Sequence, residues 1–239
     1  MLNYLNKPEI LEKIQQYYDG FIIYGQDKAW LKTFFPGGLK NVLTDIYLGS
    51  PKVKFIEELR NNLVYSGNGW DSKRSSQHYV ELYNLLDNED FLEVYGEKRY
   101  CKWFKKSYKG LETDHNLYLD NIRKAGIWLI LHGTYHWKYN EPASARIFEA
   151  ASIGNLIISD KLPFVINNFG DSVFYTDTED TPSKIAKDIK AIVQWSRSNP
   201  LLANQKAKSS YDIFIENFTS EQMVARIIKF HEITLSKSS

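Results

Sequence analysis

The feature that most constrains the fold is a regular alternation of short apolar runs and helical patterns that begins near Asn62. Each apolar run has the length of a strand and ends at glycine or a polar residue. This order is typical of βαβ units and a parallel sheet. The predicted strands are Leu63–Ser66, Phe91–Tyr95, Ile127–Leu131, Leu156–Ser159 and Val173–Tyr175, with a weaker one near Tyr108–Leu111.

The helical patterns between and after these runs complete a doubly wound, Rossmann-like α/β domain with helices at its carboxyl end. The predicted helices are Ser75–Leu86, Tyr118–Ala125, Pro142–Ser152, Pro182–Ser196 and two from Pro200 to about Lys237, broken near Asn217–Ser220. Before Asn62 the pattern predicts a short α/β extension. Its parts are a helix over Lys7–Tyr18, a short buried strand Phe21–Tyr24, a helix over Trp30–Phe34 capped by Asp27, and a linker at Gly49–Pro51.

Composition excludes several classes of protein. The chain has 239 residues, 43% of them hydrophobic and 15% aromatic, which is enough to fill a core and is not typical of disorder. Its net charge of +1 gives no general attraction to nucleic acid. No apolar run approaches the length of a membrane-spanning helix, and no secretory leader precedes the first helix, so a cytoplasmic location is expected. The single cysteine, Cys101, excludes an internal disulfide and favours a buried thiol.

The stretch from Asn140 to Asp160 carries the strongest functional signal. Glu141 and Glu149 are separated by seven residues, and Pro142 suits the first position of a helix. The N–H groups of Ala143, Ser144 and Ala145 would then be free at the helix start, which forms an anion site without a lysine. Arg146 either pairs with Glu149 at i, i+3 or reaches a bound phosphate. The alternative is that both glutamates are ordinary helix carboxylates, with Glu141 serving only the helix dipole.

This stretch resembles the Glu-x7-Glu motif of group 1 glycosyltransferases, which have the two-domain GT-B fold. The flanking residues 146–154 and 169–175 agree, and an Arg-x-Phe-Glu signature resembles the spore-maturation-protein-like branch. The similarity runs from about Leu63 to Phe230. It implies a nucleotide-diphospho-sugar donor, UDP- or GDP-linked, with Glu141 near the sugar and Glu149 on the ribose. It also implies a hydroxyl acceptor such as a glycan, no permanently bound cofactor and no metal.

The same resemblance predicts a division of the chain. Residues 1–55 would be the tail of an acceptor-type domain and its linker, and residues 56–239 the nucleotide-sugar-binding domain. A partner chain or oligomer would then supply the acceptor half.

Two further loops follow predicted strands and so lie at the ligand-binding edge of the sheet. Gly67 and Gly69 form a turn that lets a phosphate approach the backbone, and Lys73 or Arg74 could neutralise its charge. The alternative is a plain turn with solvated charges. After the next strand, Tyr95 and Gly96 are expected near the base, unless Tyr95 is only a strand aromatic.

The segment after the Ile127–Leu131 strand contains two histidines. His132 and His136 have a spacing that could hold zinc on a helix, but Gly133 predicts a loop. His136 is therefore expected to contact sugar or phosphate, with a purely structural histidine as the alternative. Asp160 is predicted to cap the turn that follows its strand.

The sequence thus predicts a glycosyltransferase, or its donor half, with Glu141, Arg146 and His136 in catalytic roles. Surface glycan or glycoconjugate synthesis is the expected process. A non-catalytic nucleotide-sugar-binding module that needs a partner chain remains an alternative, as does a structural remnant.

Overall fold

A computed structural model describes residues 13, 16–24, 38–47, 49–57, 59–67, 71–138 and 143–238 of the chain. Two short parallel strands, β1 (Phe21–Ile22) and β2 (Val42–Leu43), pair with each other. The central sheet has six strands: β3 (Asn62–Ser66), β4 (Leu92–Tyr95), β5 (Tyr108–Gly110), β6 (Gly126–Ile130), β7 (Leu156–Asp160) and β8 (Phe174–Thr176).

The central sheet is parallel throughout and doubly wound. Its strand order is β5-β4-β3-β6-β7-β8, with every neighbouring pair parallel. The direction of winding reverses between β3 and β6, so the loops that follow these two strands open a crevice at the carboxyl edge of the sheet. Because helices cover both faces, the central strands are buried along most of their length, and all five residues of β6 are buried.

Eight helices surround the sheets within the described residues. They are α1 (Gln77–Leu86), α2 (His115–Ala125), α3 (Thr134–Lys138), α4 (Ala145–Ser152), α5 (Pro163–Phe169), α6 (Pro182–Ser198), α7 (Pro200–Asn217) and α8 (Ser220–Ser238). Local sequence sets several of their ends. The Asp114 carboxylate accepts from the backbone N–H groups of Asn116 and Leu117 and caps α2, and Gly126 ends that helix with a φ of 90°. Thr181 caps α6, with Pro182 at its start.

The alternation of side chains along the strands fills two apolar layers. Leu63 and Tyr65 of β3 pack on one side with α1 and α6, whereas Val64 packs on the other side with α2, α4 and α5. Residues of α7 enter both layers. The prediction of a Rossmann-like parallel sheet with a short α/β extension and carboxyl-terminal helices is confirmed.

Three predicted boundaries are wrong or incomplete. The helix predicted from Pro142 begins at Ala145, because Ser144 is extended at the N-cap and Ala143 turns its side chain into the apolar layer. The predicted strand at Phe21 is neither long nor buried, and Ile22 is 48% exposed, since it belongs to an isolated pair of strands. The helix predicted over residues 7–18 lies largely outside the described residues and does not reach Tyr18; the one over residues 30–34 lies wholly outside them.

The segment before the central sheet is anchored to the last two helices. Ser50 forms a parallel bridge with Thr219, and the Tyr47 ring packs against Phe148 and Phe218 with centroids 6.0 and 5.6 Å apart. The Gly49–Pro51 stretch, expected as a linker, therefore contacts the carboxyl-terminal helices closely. No helix of the described part of the chain is both long and apolar enough to cross a membrane.

Candidate functional site

A cavity of about 480 Å³ opens at the crevice between the ends of β3 and β6. Ser66 and Gly67 at the end of β3 form one wall. Residues from the ends of β4 and β5, the starts of α2 and α4, and helix α3 complete it. The cavity therefore lies where a doubly wound sheet normally binds its ligand.

Two arginines face this cavity without a carboxylate partner. Arg74 and Arg146 both line the cavity, and neither forms an ion pair with a carboxylate of the described residues. Arg74 is only 6% exposed, and its buried Nε has no hydrogen-bond partner in the described part of the chain. Burial, and then the like charge of Arg74, lower the pKa of Arg146. Two adjacent cations, one buried and one half-buried, are unfavourable unless an anion binds between or beside them.

Arg146 connects the two sides of the crevice. It projects from the first turn of α4 and donates one hydrogen bond from Nη1 to the Ser66 carbonyl oxygen and another from Nε to the Ser144 hydroxyl at 3.2 Å. Of the two options that the sequence left open for Arg146, the i, i+3 ion pair with Glu149 does not form. Its guanidinium instead lies at the cavity wall.

Asp71 positions the turn that carries Arg74. One carboxylate oxygen accepts from the Arg74 backbone N–H at 3.1 Å, and the other accepts from the Thr134 N–H at 3.0 Å. The turn after β3 is thereby tied to the segment after β6, across the crevice. Gly133 is required for this approach, because a Cβ there would lie 2.9 Å from the Asp71 carboxylate. Sequence reasoning missed Asp71, although an Asp three residues before Arg74 in a Ser-rich turn is a recognisable Asx-turn signal.

The start of α4 differs from the sequence prediction. Ser144 lines the cavity and Ala145 is the first helical residue, but Ala143 is fully buried in the apolar layer and does not face the cavity. The anion site at the helix start stays a prediction, and Ser144 and Arg146 are the residues of this start that line the cavity.

Aromatic residues form the other end of the cavity. Tyr95 and Tyr118 meet edge to face with ring centroids 6.3 Å apart, and the Tyr118 hydroxyl donates to the Ser66 hydroxyl at 2.8 Å. Burial, followed by the Glu93 carboxylate, raises the pKa of Tyr95 to about 12, so Tyr95 stays neutral at physiological pH. Gly96, with a φ of 146°, makes the turn beside it. Sequence reasoning did not identify Tyr118, because its contact with Ser66 spans 52 residues.

Glu149 lies beside the cavity rather than deep inside it. Its side chain is 20% exposed, and its Oε1 is 4.0 Å from Nε2 of His115, which lines the cavity. Burial raises the pKa of Glu149, and the charges of His115 and Arg146 act in the opposite direction. A carboxylate in this position can accept hydrogen bonds from hydroxyl groups of a bound ligand.

The loop predicted after Gly133 is wrong, because Thr134–Lys138 form helix α3. His136 lines the cavity from this helix, whereas His132 and Asp160 lie behind the cavity and are fully buried. Asp160 accepts from the His132 backbone N–H at 2.8 Å, and its other oxygen is 2.5 Å from His132 Nδ1. The prediction that Asp160 caps the following turn is wrong, because its carboxylate turns towards His132 and Leu162 occupies the N-cap of α5. No group of three or more potential metal-ligating side chains occurs among the described residues.

Several solved structures share this architecture. A point mutant of S. aureus TarM, in complex with fondaparinux, α-GlcNAc-glycerol and UDP, superimposes with a TM-score of 0.61 at 12% identity, covering 90% of this chain and 44% of that one. The pneumococcal O-GlcNAc transferase GtfA, in complex with UDP and GlcNAc, gives 0.55 at 14% identity, covering 90% and 45%. Anabaena HepE in complex with UDP-glucose gives 0.56 at 15% identity, covering 91% and 64%. The chain therefore has a GT-B type of α/β fold over the part that these structures share with it.

The GT-B likeness is one of fold, since no protein-family model and no curated protein sequence matches the chain. The chain spans about half the length of the first two of these relatives and 64% of HepE. Of the predicted site residues, the GT-B-type crevice brings together Gly67, Arg74, Tyr95, Gly96, His136, Ser144 and Arg146, with Glu149 and Ala145 beside it. Glu141 and Gly69 lie outside the described residues.

Proposed function

We propose that the chain binds a nucleotide-diphospho-sugar in this cavity and serves as the donor half of a glycosyltransferase. The observation that carries the proposal is the pair of cavity arginines, Arg74 and Arg146, that have no carboxylate partner among the described residues. A diphosphate would supply the missing negative charge, and a sugar nucleotide presents its diphosphate between two groups that the rest of the cavity can bind.

The diphosphate would lie between the two guanidinium groups and the start of α4. Arginine forms bidentate, charge-assisted hydrogen bonds with phosphate oxygens, which are stronger than bonds between neutral groups. During transfer, negative charge builds up on the departing diphosphate, so the same two cations would stabilise the transition state more than the bound donor. Gly67 would let the phosphate approach the end of β3 without a side chain in between. This arrangement supplies the charge without a metal ion, so we expect binding to persist in the presence of a chelator.

The nucleoside would extend from the diphosphate towards the aromatic end of the cavity. Tyr95 offers a face on which a base can stack, with Gly96 allowing close approach. Glu149 would accept the ribose hydroxyls beside His115. Because the similar structures were solved with UDP or UDP-glucose, a UDP-sugar is the first donor to test and a GDP-sugar the second.

The sugar would then lie towards His136. We assign Glu141 to the sugar and His136 to the sugar or the adjacent phosphate. The acceptor would be a hydroxyl group, for example of a glycan, within surface glycan or glycoconjugate synthesis. Its binding half would come from a partner chain, an oligomer or further sequence, and closure of that half would exclude water during transfer.

Thermal unfolding with UDP-, GDP-, ADP- and TDP-sugars tests the donor site. A ligand at about 100 times its dissociation constant should stabilise the fold by roughly 2.7 kcal/mol, and this gain should be smaller in Glu149→Ala. If no nucleotide raises the melting temperature of the wild type, the proposal fails for this chain. Sugar release from the bound donor, with and without candidate acceptors, separates a transferase from a module that only binds.

A further inference from the structure

A buried carboxylate–imidazole pair lies directly behind the cavity. Asp160, the last residue of β7, and His132, two residues after β6, are both 0% exposed. The carboxylate accepts from the His132 backbone N–H at 2.8 Å and from Trp137 Nε1 at 3.4 Å, and its Oδ1 is 2.5 Å from His132 Nδ1. Three contacts from one short segment thus converge on a single buried carboxylate.

The carboxylate of this pair is charged. Burial acts to raise the pKa of Asp160, but the charge and hydrogen bonds of His132 and then the bond from Trp137 outweigh it, and the net pKa is lowered. Because Nδ1 is bound to Asp160, the other ring nitrogen of His132, Nε2, is left for another partner. It is buried and has no hydrogen-bond partner among the described residues.

His136 is the neighbour that connects this pair to the cavity. Its ring contacts the His132 ring edge to face, with centroids 5.2 Å apart and an interplanar angle of 81°. His136 also lines the cavity, one turn of chain after His132. The order from the core outwards is therefore Asp160, His132, His136 and the cavity.

We propose that Asp160 and His132 are positioning residues that hold His136 at the cavity and favour its cationic form, so that His136 is a third cation for the bound diphosphate. The part that concerns the diphosphate rests on the function proposed above. The part that concerns His136 itself does not, because it depends only on the contacts among the three side chains.

The charges around His136 make such support necessary. Two arginines on the cavity wall act against a positive charge on His136, and so do His115 and His132 when they are protonated. Elsewhere around this segment, the Asp71 carboxylate faces Gly133 and Lys73 lies over the Trp137 ring. The Tyr79 hydroxyl lies near the Asp160 carboxylate. Among the described residues, the charged or titratable groups that face the segment include Arg74, Arg146, His115, Lys73, Asp71, Tyr79 and Asp160. Among these groups, Asp160 is the carboxylate that is bonded to His132, and the His132 ring contacts the His136 ring.

A purely structural role for the pair accounts for less of the geometry. A histidine that only satisfied the carboxylate would be expected to have both ring nitrogens paired, because an unpaired buried polar atom costs about 1–3 kcal/mol. Here one nitrogen remains without a described partner next to a second imidazole that lines the cavity. A buried polar atom without a partner calls for an explanation, and a role at the cavity is the explanation that we examine for His132.

The test is a proton NMR titration of the histidine side chains in the full chain, without nucleotide. The chain has five histidines, and the His136 signal is assigned by its loss in His136→Gln. In Asp160→Asn, we expect the titration midpoint of His136 to fall by about one pH unit, since a nearby negative charge is lost. In His132→Phe, we expect the midpoint to move away from the wild-type value, because the imidazole between that charge and His136 is removed. The matched control is Asp177→Asn, which removes an exposed carboxylate paired with Lys161 at 2.8 Å.

A His136 midpoint that stays within about 0.2 units of the wild type in both folded variants overturns the inference. If either variant does not fold, the imidazole ¹⁵N shifts of the wild type decide instead. The inference requires the His132 signals to show a second transition at the midpoint of His136, and independent titrations overturn it.

A parallel titration with UDP keeps the two proposals separable. If UDP binds but Asp160→Asn leaves both the His136 midpoint and the pH dependence of binding unchanged, the proposed donor site stands and this inference fails. If the midpoint shifts as expected but UDP does not bind, the side-chain coupling stands and the donor site fails.

Discussion

Two buried polar clusters of this chain differ in one respect, which is whether the protein itself satisfies them. The Asp87 carboxylate, at the end of α1, accepts from the backbone N–H groups of Lys105, Lys106 and Ser107 and from the Ser107 hydroxyl. Arg74 and Arg146, at the cavity, form no ion pair with a carboxylate of the described residues. In the first cluster, the protein itself supplies the hydrogen-bond donors for the carboxylate. In the second cluster, the cavity beside the two arginines can hold an anion. We infer that completeness separates structural from binding clusters here.

The largest expected effect is on stability, at the complete cluster. Asp87→Ala leaves several donors of the 105–107 loop unpaired, so we expect the free energy of unfolding to fall by about 3 kcal/mol. Burial acts to raise the pKa of Asp87, but the bonds from Ser107, Lys105 and Lys106 lower it overall. Its stabilisation is therefore present above the unfolded-state pKa and is lost as the pH falls through the folded-state pKa.

Urea unfolding at neutral pH and at about pH 3 measures this prediction. Asp90→Ala, at a nearby exposed aspartate, is the control and should change stability little. If Asp87→Ala abolishes nucleotide binding in protein that is still folded, the distinction between the two clusters is wrong.

The next effect is on binding, at the incomplete cluster. Arg74→Met should weaken UDP binding by more than tenfold, since a charge-assisted hydrogen bond contributes about 1.5–3 kcal/mol. The same variant should leave the nucleotide-free protein as stable as the wild type or slightly more stable, because it removes one of two adjacent buried cations. Fluorescence titration and urea unfolding give the two numbers. Arg197→Met is the control, because Arg197 is exposed and its Nε donates to the Asn61 carbonyl at the opposite edge of the sheet.

A smaller effect is expected at Glu149, where a single substitution should change the stability of the nucleotide-free protein and the affinity for UDP in opposite directions. Burial raises the folded-state pKa of Glu149, so ionisation of Glu149 destabilises the folded protein. This destabilisation is absent below the unfolded-state pKa and develops as the pH rises through the folded-state pKa. We expect Glu149→Gln to stabilise the nucleotide-free protein by about 0.5–1 kcal/mol at pH 7 but not at pH 4, and to weaken UDP binding about fivefold. Melting curves at the two pH values measure the first part. A loss of stability at pH 7 would mean that Glu149 belongs with the complete cluster.

Sequence reasoning predicted the parallel sheet well, because strands buried on both faces are continuous apolar runs with clear breaks. It also predicted most of the residues that the crevice collects, since the carboxyl ends of parallel strands share one edge. It could not predict how these residues contact each other. The bond from Arg146 to the Ser66 carbonyl spans 80 residues, and the one from the Ser107 hydroxyl to Asp87 spans 20.

Local rules were also overridden at particular positions. Pro142 favours an earlier start for α4, but Ala143 precedes the helix and packs its side chain in the apolar layer. Asp160 had the sequence context of a turn cap, and His132, distant by 28 residues, engaged its carboxylate instead. In both cases tertiary contacts decided the outcome.

The most direct test of the central claim is calorimetric titration of UDP into the wild type, Arg197→Met and the double variant Arg74→Met/Arg146→Met. The account predicts binding that weakens as salt rises, is retained in Arg197→Met, and falls by about a hundredfold or more in the double variant, which should remain folded. Equal binding by the double variant, or no binding of any nucleoside diphosphate by the wild type, would contradict the claim that the two unpaired arginines form a diphosphate site.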